Sequence, residues 1–257
     1  MKDTTVIRKA AWVIAWDEDK NTHIYLKDAD LAFCGSRITF VGQDYSGPCD
    51  REIPGKGRMI MPGLINIHSH LSGGPLDKGT FDEVGTAALW GNALYTYSQL
   101  LRADCRALKP GAIIALSELM KSGVTTVVDN SGYYEEWIEL LVDSGVRAIL
   151  APGFRQARWI KVADHRVDYE WDHQAGRQGF RQALETMDAV KKCGCDRLTG
   201  MIFPSQVDTC EAELLIEAHA AAVDRGLPFQ THAAQTMQEF SEMMRRYGKS
   251  PVQWLDS

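Results

Sequence analysis

Short apolar runs separated by polar turns open the chain, and further on such runs alternate with stretches of helical periodicity. Residues 6–16 are apolar and β-rich and close on the polar turn Asp17-Glu18-Asp19-Lys20-Asn21. Residues 23–33 continue in the same style, and Gly35-Ser36 turns into an alternating strand over 37–42. Residues 6–53 thus read as short strands joined by turns, a small β-sandwich-like domain over 1–57.

From residue 58 the rhythm changes. An apolar approach over 59–67 ends at His68-Ser69-His70 and opens into the loop Leu71-Ser72-Gly73-Gly74-Pro75. Apolar positions at i, i+3 and i+4 over 112–121 predict a helix with Gly123 as its C-cap. The β-branched run 124–129 is a second strand. A helix over 134–144, a third strand over 145–152, a helix over 178–193 and a fourth strand over 197–204 follow. An Ala-faced helix over 211–225 and a fifth strand over 226–232 complete the series. Such alternation is the signature of a parallel α/β sheet or barrel. Residues 153–177 read as a long insertion carrying Arg155, Arg158, Trp159, His165, Tyr169, Trp171 and His173. Loops longer than about 12–15 residues in compact domains are usually functional or mobile. At a strand's C-terminal end this one would lie over the pocket of a barrel.

Composition narrows the function classes. The chain has 257 residues, 45% hydrophobic and 24% charged, with a net charge of −6 and no Lys/Arg run, which argues against a nucleic-acid partner. No apolar stretch reaches the roughly 18 residues of a membrane span, and the mixed N-terminal segment lacks a signal-peptide core. A cytoplasmic protein is expected. Cys34, Cys49, Cys105, Cys193, Cys195 and Cys210 are expected to be free thiols. Cys193-Gly194-Cys195 lacks the C-x-x-C redox spacing and further ligands nearby.

Chemistry concentrates in the histidines. A strand alternates its side chains, so His68 and His70 point the same way and can share a metal ion. The approach through Met59, Ile60, Met61, Leu64, Ile65 and Ile67 is too apolar for a surface edge. His232 ends the fifth strand and is the third candidate ligand. Three imidazoles with an open position suit a divalent metal that activates water and polarises the carbon under attack. His23 and His219 read as a surface and an outer-layer residue, while His165 and His173 lack a strand platform and read as substrate contacts or plain surface. Trp90, Trp159 and His173 are the substrate-binding candidates.

The run Met61-Pro62-Gly63-Leu64-Ile65-Asn66-Ile67-His68-Ser69-His70 resembles the first barrel strand of the amidohydrolase superfamily, in its cytosine-deaminase-like and triazine-hydrolase-like branch. Gly35 to Gly42 resembles a strand of the small β-domain preceding that barrel, and Gly123-Val124-Thr125-Thr126 leading to Asp129 matches its second strand. The resemblance implies an incomplete (β/α)8 TIM-like barrel over 58–257, about five βα units after the β-rich domain, truncated before strand six. It implies a fragment of a longer, homo-oligomeric protein, and an open edge at the fifth strand that makes the piece prone to aggregate and poorly active alone.

The same resemblance assigns His68, His70 and His232 to one divalent metal, zinc first, with iron, cobalt or manganese as alternatives. The fourth strand has no lysine, which favours the one-metal branch. The deaminase-like members carry a proton-shuttling glutamate three residues after the fifth-strand histidine, where this chain has Gln235. An amide exchanges no proton near neutral pH, though it can hydrogen-bond a substrate. Glu239 is a poor substitute at its distance from His232. The expected activity is hydrolysis of a non-peptide carbon–nitrogen bond in a small molecule (amide, carbamate, urea or cyclic amidine). The alternatives are a deaminase or dechlorinase of purine-, pyrimidine- or triazine-like rings, and a metal-binding remnant without turnover.

Overall fold

The computed structural model describes residues 3–78, 86–90, 94–97, 104–163 and 166–257. These fall into two compact units, Met1–Gly63 and Leu64–Ser257.

The first unit is a five-stranded sheet built from β1 (Thr4–Asp17), β2 (Thr22–Cys34), β3 (Arg37–Gly42), β4 (Arg51–Pro54) and β5 (Met59–Ile60). β1 and β2 form a long antiparallel pair, β3 adds antiparallel to β2, and β4 and β5 run parallel to β1. Ala10, Val13, Ala29 and Leu31 are its buried centre. The sequence reading starts the second domain at residue 58, whereas β5 pairs with β1 and belongs to the first unit.

The second unit runs through β6 (Leu64–Ser69), the short helices α1 (Gly74–Asp77) and α2 (Leu94–Tyr97), α3 (Cys105–Lys121), β7 (Val124–Asp129), α4 (Trp137–Ser144) and β8 (Arg147–Leu150). It continues with β9 (Gly153–Phe154), β10 (Ala157–Ala163), β11 (Arg166–Trp171), α5 (His173–Cys193), β12 (Leu198–Gly200) and β13 (Phe203–Pro204). Helices α6 (Ala212–Arg225), α7 (Met237–Tyr247) and α8 (Pro251–Leu255) follow. The four-stranded parallel sheet has the order β12-β8-β7-β6, and β13 pairs parallel with β9 in a separate two-stranded sheet. Each strand lies beside its predecessor in sequence, as helical crossovers in a βα series require.

Helices and sheet bury two apolar layers. Leu116, Val127, Trp137, Leu141, Ala148, Leu150 and Val190 close the space between the sheet and α3, α4 and α5. Phe154, Phe180, Met187, Ile202, Leu214 and Ala218 do the same for α5 and α6. The opposite face of the strands carries Val128, Ala151, Met201 and Phe203. Helix boundaries follow local chemistry. The Asp104 carboxylate caps α3 at the Arg106 amide, and Asp172 caps α5 at the Ala175 amide, so both helices start earlier than periodicity alone suggests. Gly194, at φ +67°, stops α5 in the left-handed conformation that glycine adopts without a Cβ penalty. Cys193 and Cys195 therefore flank a helix terminus, and none of the six cysteines is in a disulfide.

Three expectations need correction. The insertion is no loop: β10 and β11 form an antiparallel hairpin in which Trp159 faces Tyr169. Alternation of aromatic and β-branched residues with charged ones over 157–171 encodes that pairing. The fifth strand is reduced to two parallel bridges, Ile202 with Phe229 and Gln206 with His232. Pro228, which has no N–H to donate, lies within it. Finally, β6 is an outer strand of the four-stranded sheet, and Leu64, Ile65 and Ile67 are 48%, 65% and 71% exposed. Its apolar character did not keep it from an edge. Among the described residues no helix is long and apolar enough to cross a membrane.

Leu141 is fully buried between α4 and the sheet. Leu141→Ala should lower unfolding free energy by about 2–5 kcal/mol, read as a reduced urea midpoint with an unchanged slope.

Candidate metal centre

The C-terminal ends of parallel strands converge on one edge of the sheet, and three imidazoles meet there. His68 lies in β6, His70 one residue beyond it, and His232 at the end of the fifth segment. His68 Nε2 is 3.1 Å from His70 Nε2 and 3.1 Å from His232 Nε2. All three candidate ligand atoms lie within 4.8 Å of one another. Phe203 presents its ring edgewise to His68 and His232, closing the floor of the cluster.

The outer nitrogens of all three rings face oxygen atoms. His70 Nδ1 is 2.8 Å from the Asn130 carbonyl oxygen, and His232 Nδ1 is 2.6 Å from the Ser205 carbonyl oxygen. His68 Nδ1 is 3.2 Å from Gln230 Oε1. Each partner is an acceptor, so each Nδ1 carries the proton and donates it. Every Nε2 then points a lone pair at the others. Two such lone pairs 3.1 Å apart make no hydrogen bond and repel, unless a cation is shared between them. Zinc–nitrogen bonds of about 2.0–2.1 Å at tetrahedral angles set ligand nitrogens about 3.3 Å apart. The donor set therefore fits a divalent metal in chemistry, and the two 3.1 Å separations match that spacing. His70 keeps solvent-exposed surface while its Nδ1 lies against the Asn130 carbonyl and its ring against His68 and His232. Burial of its ring, reinforced by His68 and His232, holds its pKa down at about 4 against the Asn130 carbonyl. Burial also depresses His232. Both are neutral at neutral pH, as ligation needs.

The loops behind the centre are tied by a buried carboxylate. Asp129, at the end of β7, accepts from the Leu71 amide at 3.1 Å, the Ser131 hydroxyl at 2.5 Å and Trp137 Nε1 at 2.8 Å. The Asn130 amide donates to the Ser69 carbonyl, and the Ser69 hydroxyl to the Val128 carbonyl. These contacts fix the segment carrying His70 against the one carrying its carbonyl partner. Burial pushes the Asp129 carboxyl up to about 6 despite its three donors.

The remaining candidates lie elsewhere. Gln235 has a buried Oε1 with no hydrogen-bond partner among the described residues, and its amide N–H donates to Glu239. Both Glu239 oxygens are taken by the backbone, from Ala234 at 2.7 Å and Gln235 at 2.6 Å. Glu239 is fully buried in the first turn of α7 and serves the turn after His232. Trp159 is buried, stacked on Tyr95 at 3.8 Å, and donates to Asp208. His173 starts α5, exposed beside Glu211 and stacked on Trp171. Trp90 is 49% exposed, and His165 lies outside the described residues. Among the described residues no hydrogen bond or ring contact joins Trp90, Trp159 or His173 to the three histidines. Gln230 and Asn130 escaped the sequence reading, although Gln230 precedes His232 by two and so shares its face of a strand.

Three imidazoles thus converge at the strand ends of a parallel α/β sheet, a donor set that a divalent metal would fit. The amidohydrolase family model matches residues 59–257, and the chain belongs to that family. It is 28% identical over 244 residues to a 5-methylthioadenosine/S-adenosylhomocysteine deaminase of Thermococcus kodakarensis, covering 92% of this chain and 54% of that protein. It is 26% identical to a 5'-deoxyadenosine deaminase of Methanosarcina acetivorans, covering 98% of this chain and 54% of the relative. The chain thus spans about half the length of the curated relatives it matches. Among solved structures, it shares the fold of an atrazine chlorohydrolase variant from Arthrobacter aurescens TC1 complexed with zinc and atraton. There the TM-score is 0.76 at 21% identity, over 98% of this chain and 57% of that one. A zinc-bound adenosine deaminase from Xanthomonas campestris matches with a TM-score of 0.72 at 19% identity, over 99% and 54% of the two chains.

Two outcomes test this centre. Elemental analysis of the purified protein should find about one equivalent of divalent metal, lost in the His68→Ala/His70→Ala variant. The second concerns Asp129. Its raised pKa means that the folded state keeps a proton that the unfolded chain releases between its ordinary value near 3.9 and about 6. Rising pH therefore costs stability across that window. The urea-unfolding free energy of the wild type, minus that of Asp129→Asn, should fall as pH rises from about 4 to 6.

Proposed function

We propose that the protein to which this chain belongs is a metal-dependent hydrolase acting at a carbon–nitrogen bond of a small, nitrogen-rich molecule. The observation carrying this reading is the convergence of three imidazole lone pairs whose outer nitrogens are all committed to oxygen acceptors. His68, His70 and His232 would hold one divalent metal, with zinc favoured by the zinc-bound structures that share the fold. Bound there, such an ion supplies the Lewis acidity that activates water and polarises the bond under attack. The chain's own residues orient the three rings, hold His70 and His232 neutral, and set Phe203 edgewise against His68 and His232.

Within this class, hydrolytic deamination of an aminopurine nucleoside is the reading that the relatives' names support. Gln235 favours a second one. Its amide is suited to hydrogen-bond a ring nitrogen or carbonyl but not to carry a proton to a departing amine. Amide, carbamate or urea hydrolysis also expels an amine, and fits the residue where a proton of the attacking water reaches the departing nitrogen without passing through position 235. The five-strand barrel portion, the small-molecule substrate and the homo-oligomeric whole belong to the same proposal.

Gln235→Glu separates the two substrate classes. In the metal-loaded full-length protein it should raise deamination of adenosine-type nucleosides by about 10²–10⁴-fold in kcat, measured as ammonia release, and leave amide and carbamate hydrolysis little changed. No gain on any aminopurine would remove the deaminase reading. No turnover of either class by a metal-loaded protein would leave a metal-binding remnant.

A further inference from the structure

The three imidazoles are not held alike. His70 and His232 donate to backbone carbonyls, of Asn130 and Ser205, which exist whatever side chains those positions carry. His68 alone donates to a side chain, the Gln230 amide oxygen at 3.2 Å. It is also the central ring, with its Nε2 at 3.1 Å from each of the other two.

The orientation of the Gln230 amide is dictated by its surroundings. Its Oε1 also accepts from Asn130 Nδ2 at 2.8 Å, while its Nε2 faces the Ile67 carbonyl at 3.5 Å. Turning the amide over would set its oxygen against the Ile67 carbonyl and, unless Asn130, whose Oδ1 has no partner among the described residues, turned with it, its NH2 against the NH2 of Asn130. Asn130 is buried, and the Gln230 backbone is pinned by its N–H to the Ile202 carbonyl at 3.1 Å. The chain of contacts therefore runs from buried Asn130 through Gln230 to His68, while the carbonyl of the same Asn130 holds His70.

We infer that Gln230 is a positioning residue: it selects the Nδ1–H tautomer of His68 and so leaves the Nε2 of the central ring free for the metal. The inference rests on the proposed metal reading of the three histidines. Removing the acceptor lets His68 take its other tautomer, whose Nε2–H points into the cluster and donates to His70 or His232. Metal must then expel that proton and rotate the ring.

Gln230→Leu removes the acceptor, and Gln230→Glu keeps one at the same place. Zinc affinity, measured by competition with a chromophoric chelator, should weaken about 10–100-fold in Gln230→Leu, the range for loss of an outer-shell partner, and be retained in Gln230→Glu. The second readout needs no metal. Long-range proton–nitrogen NMR of the metal-free, 15N-histidine-labelled protein, with the rings neutral, should show His68 as the Nδ1–H tautomer in wild type and Gln230→Glu. In Gln230→Leu it should shift toward Nε2–H, with His70 and His232 unmoved. A wild-type His68 already in the Nε2–H form overturns the inference even if the leucine variant fails to fold. Unchanged His68 tautomer and zinc affinity in a folded Gln230→Leu overturn it as well. Should wild type bind no zinc, the metal reading falls, and the tautomer comparison still decides the role of Gln230.

Discussion

Neutral imidazoles whose lone pairs face one another repel, so this cluster exists only because each ring is gripped from behind. The grip is a hydrogen bond at Nδ1, and each acceptor comes from a strand other than the one that carries the ring. The residue after β7 supplies the oxygen for His70, the residue after β13 supplies it for His232, and the fifth segment supplies it for His68. Parallel strands bring all those ends to one edge of the sheet. The pairing of Ser69 with Asp129 and the bridge of Gln206 to His232 bring each carbonyl to its ring. A slip of one residue in either would turn the histidines to the other face. Strand register is therefore what the chemistry depends on.

The same edge is organised by buried carboxylates that accept hydrogen bonds from the loops around it. Asp129 ties the loops after β6 and β7 through Leu71, Ser131 and Trp137. Asp208, buried after β13, accepts from Tyr169 and Trp159 and so holds the β10–β11 hairpin. Glu239 closes the turn that follows His232. Burial raises the pKa of all three, since an ionised carboxylate loses its hydration, and their donors offset part of that cost. An acid near a metal-binding histidine invites assignment as a proton carrier. Here the oxygens of Glu239 are already spent on backbone N–H groups, which leaves Gln235 as the polar side chain exposed to that question.

Much of this was legible from residues alone. The H-x-H spacing in an apolar run and the strand-end histidine at 232 pointed to three candidate ligands, whose ring nitrogens the structure brings within 4.8 Å of one another. The strand–helix alternation predicted a parallel α/β sheet, which is the sheet observed. The hairpin was misread as a loop because its alternation sits between two strong strand–helix signals and is interrupted by charged residues. The edge position of β6 was misread because an apolar run shows that a strand can be buried, not that a neighbour covers it.

Local regularities lie in consecutive residues. Side-chain alternation put His68 and His70 on one face, and helical periodicity with capping residues such as Asp104 and Asp172 marked the crossovers. What the tertiary structure decided is non-local. Gln230 reaches His68 across 162 positions, and Asn130 reaches His70 across 60. No window of sequence contains both members of either pair. Hydrogen-bond geometry depends on distances that only strand order and register set, so the candidate ligands could be named from the sequence, but the contacts that orient their rings could not.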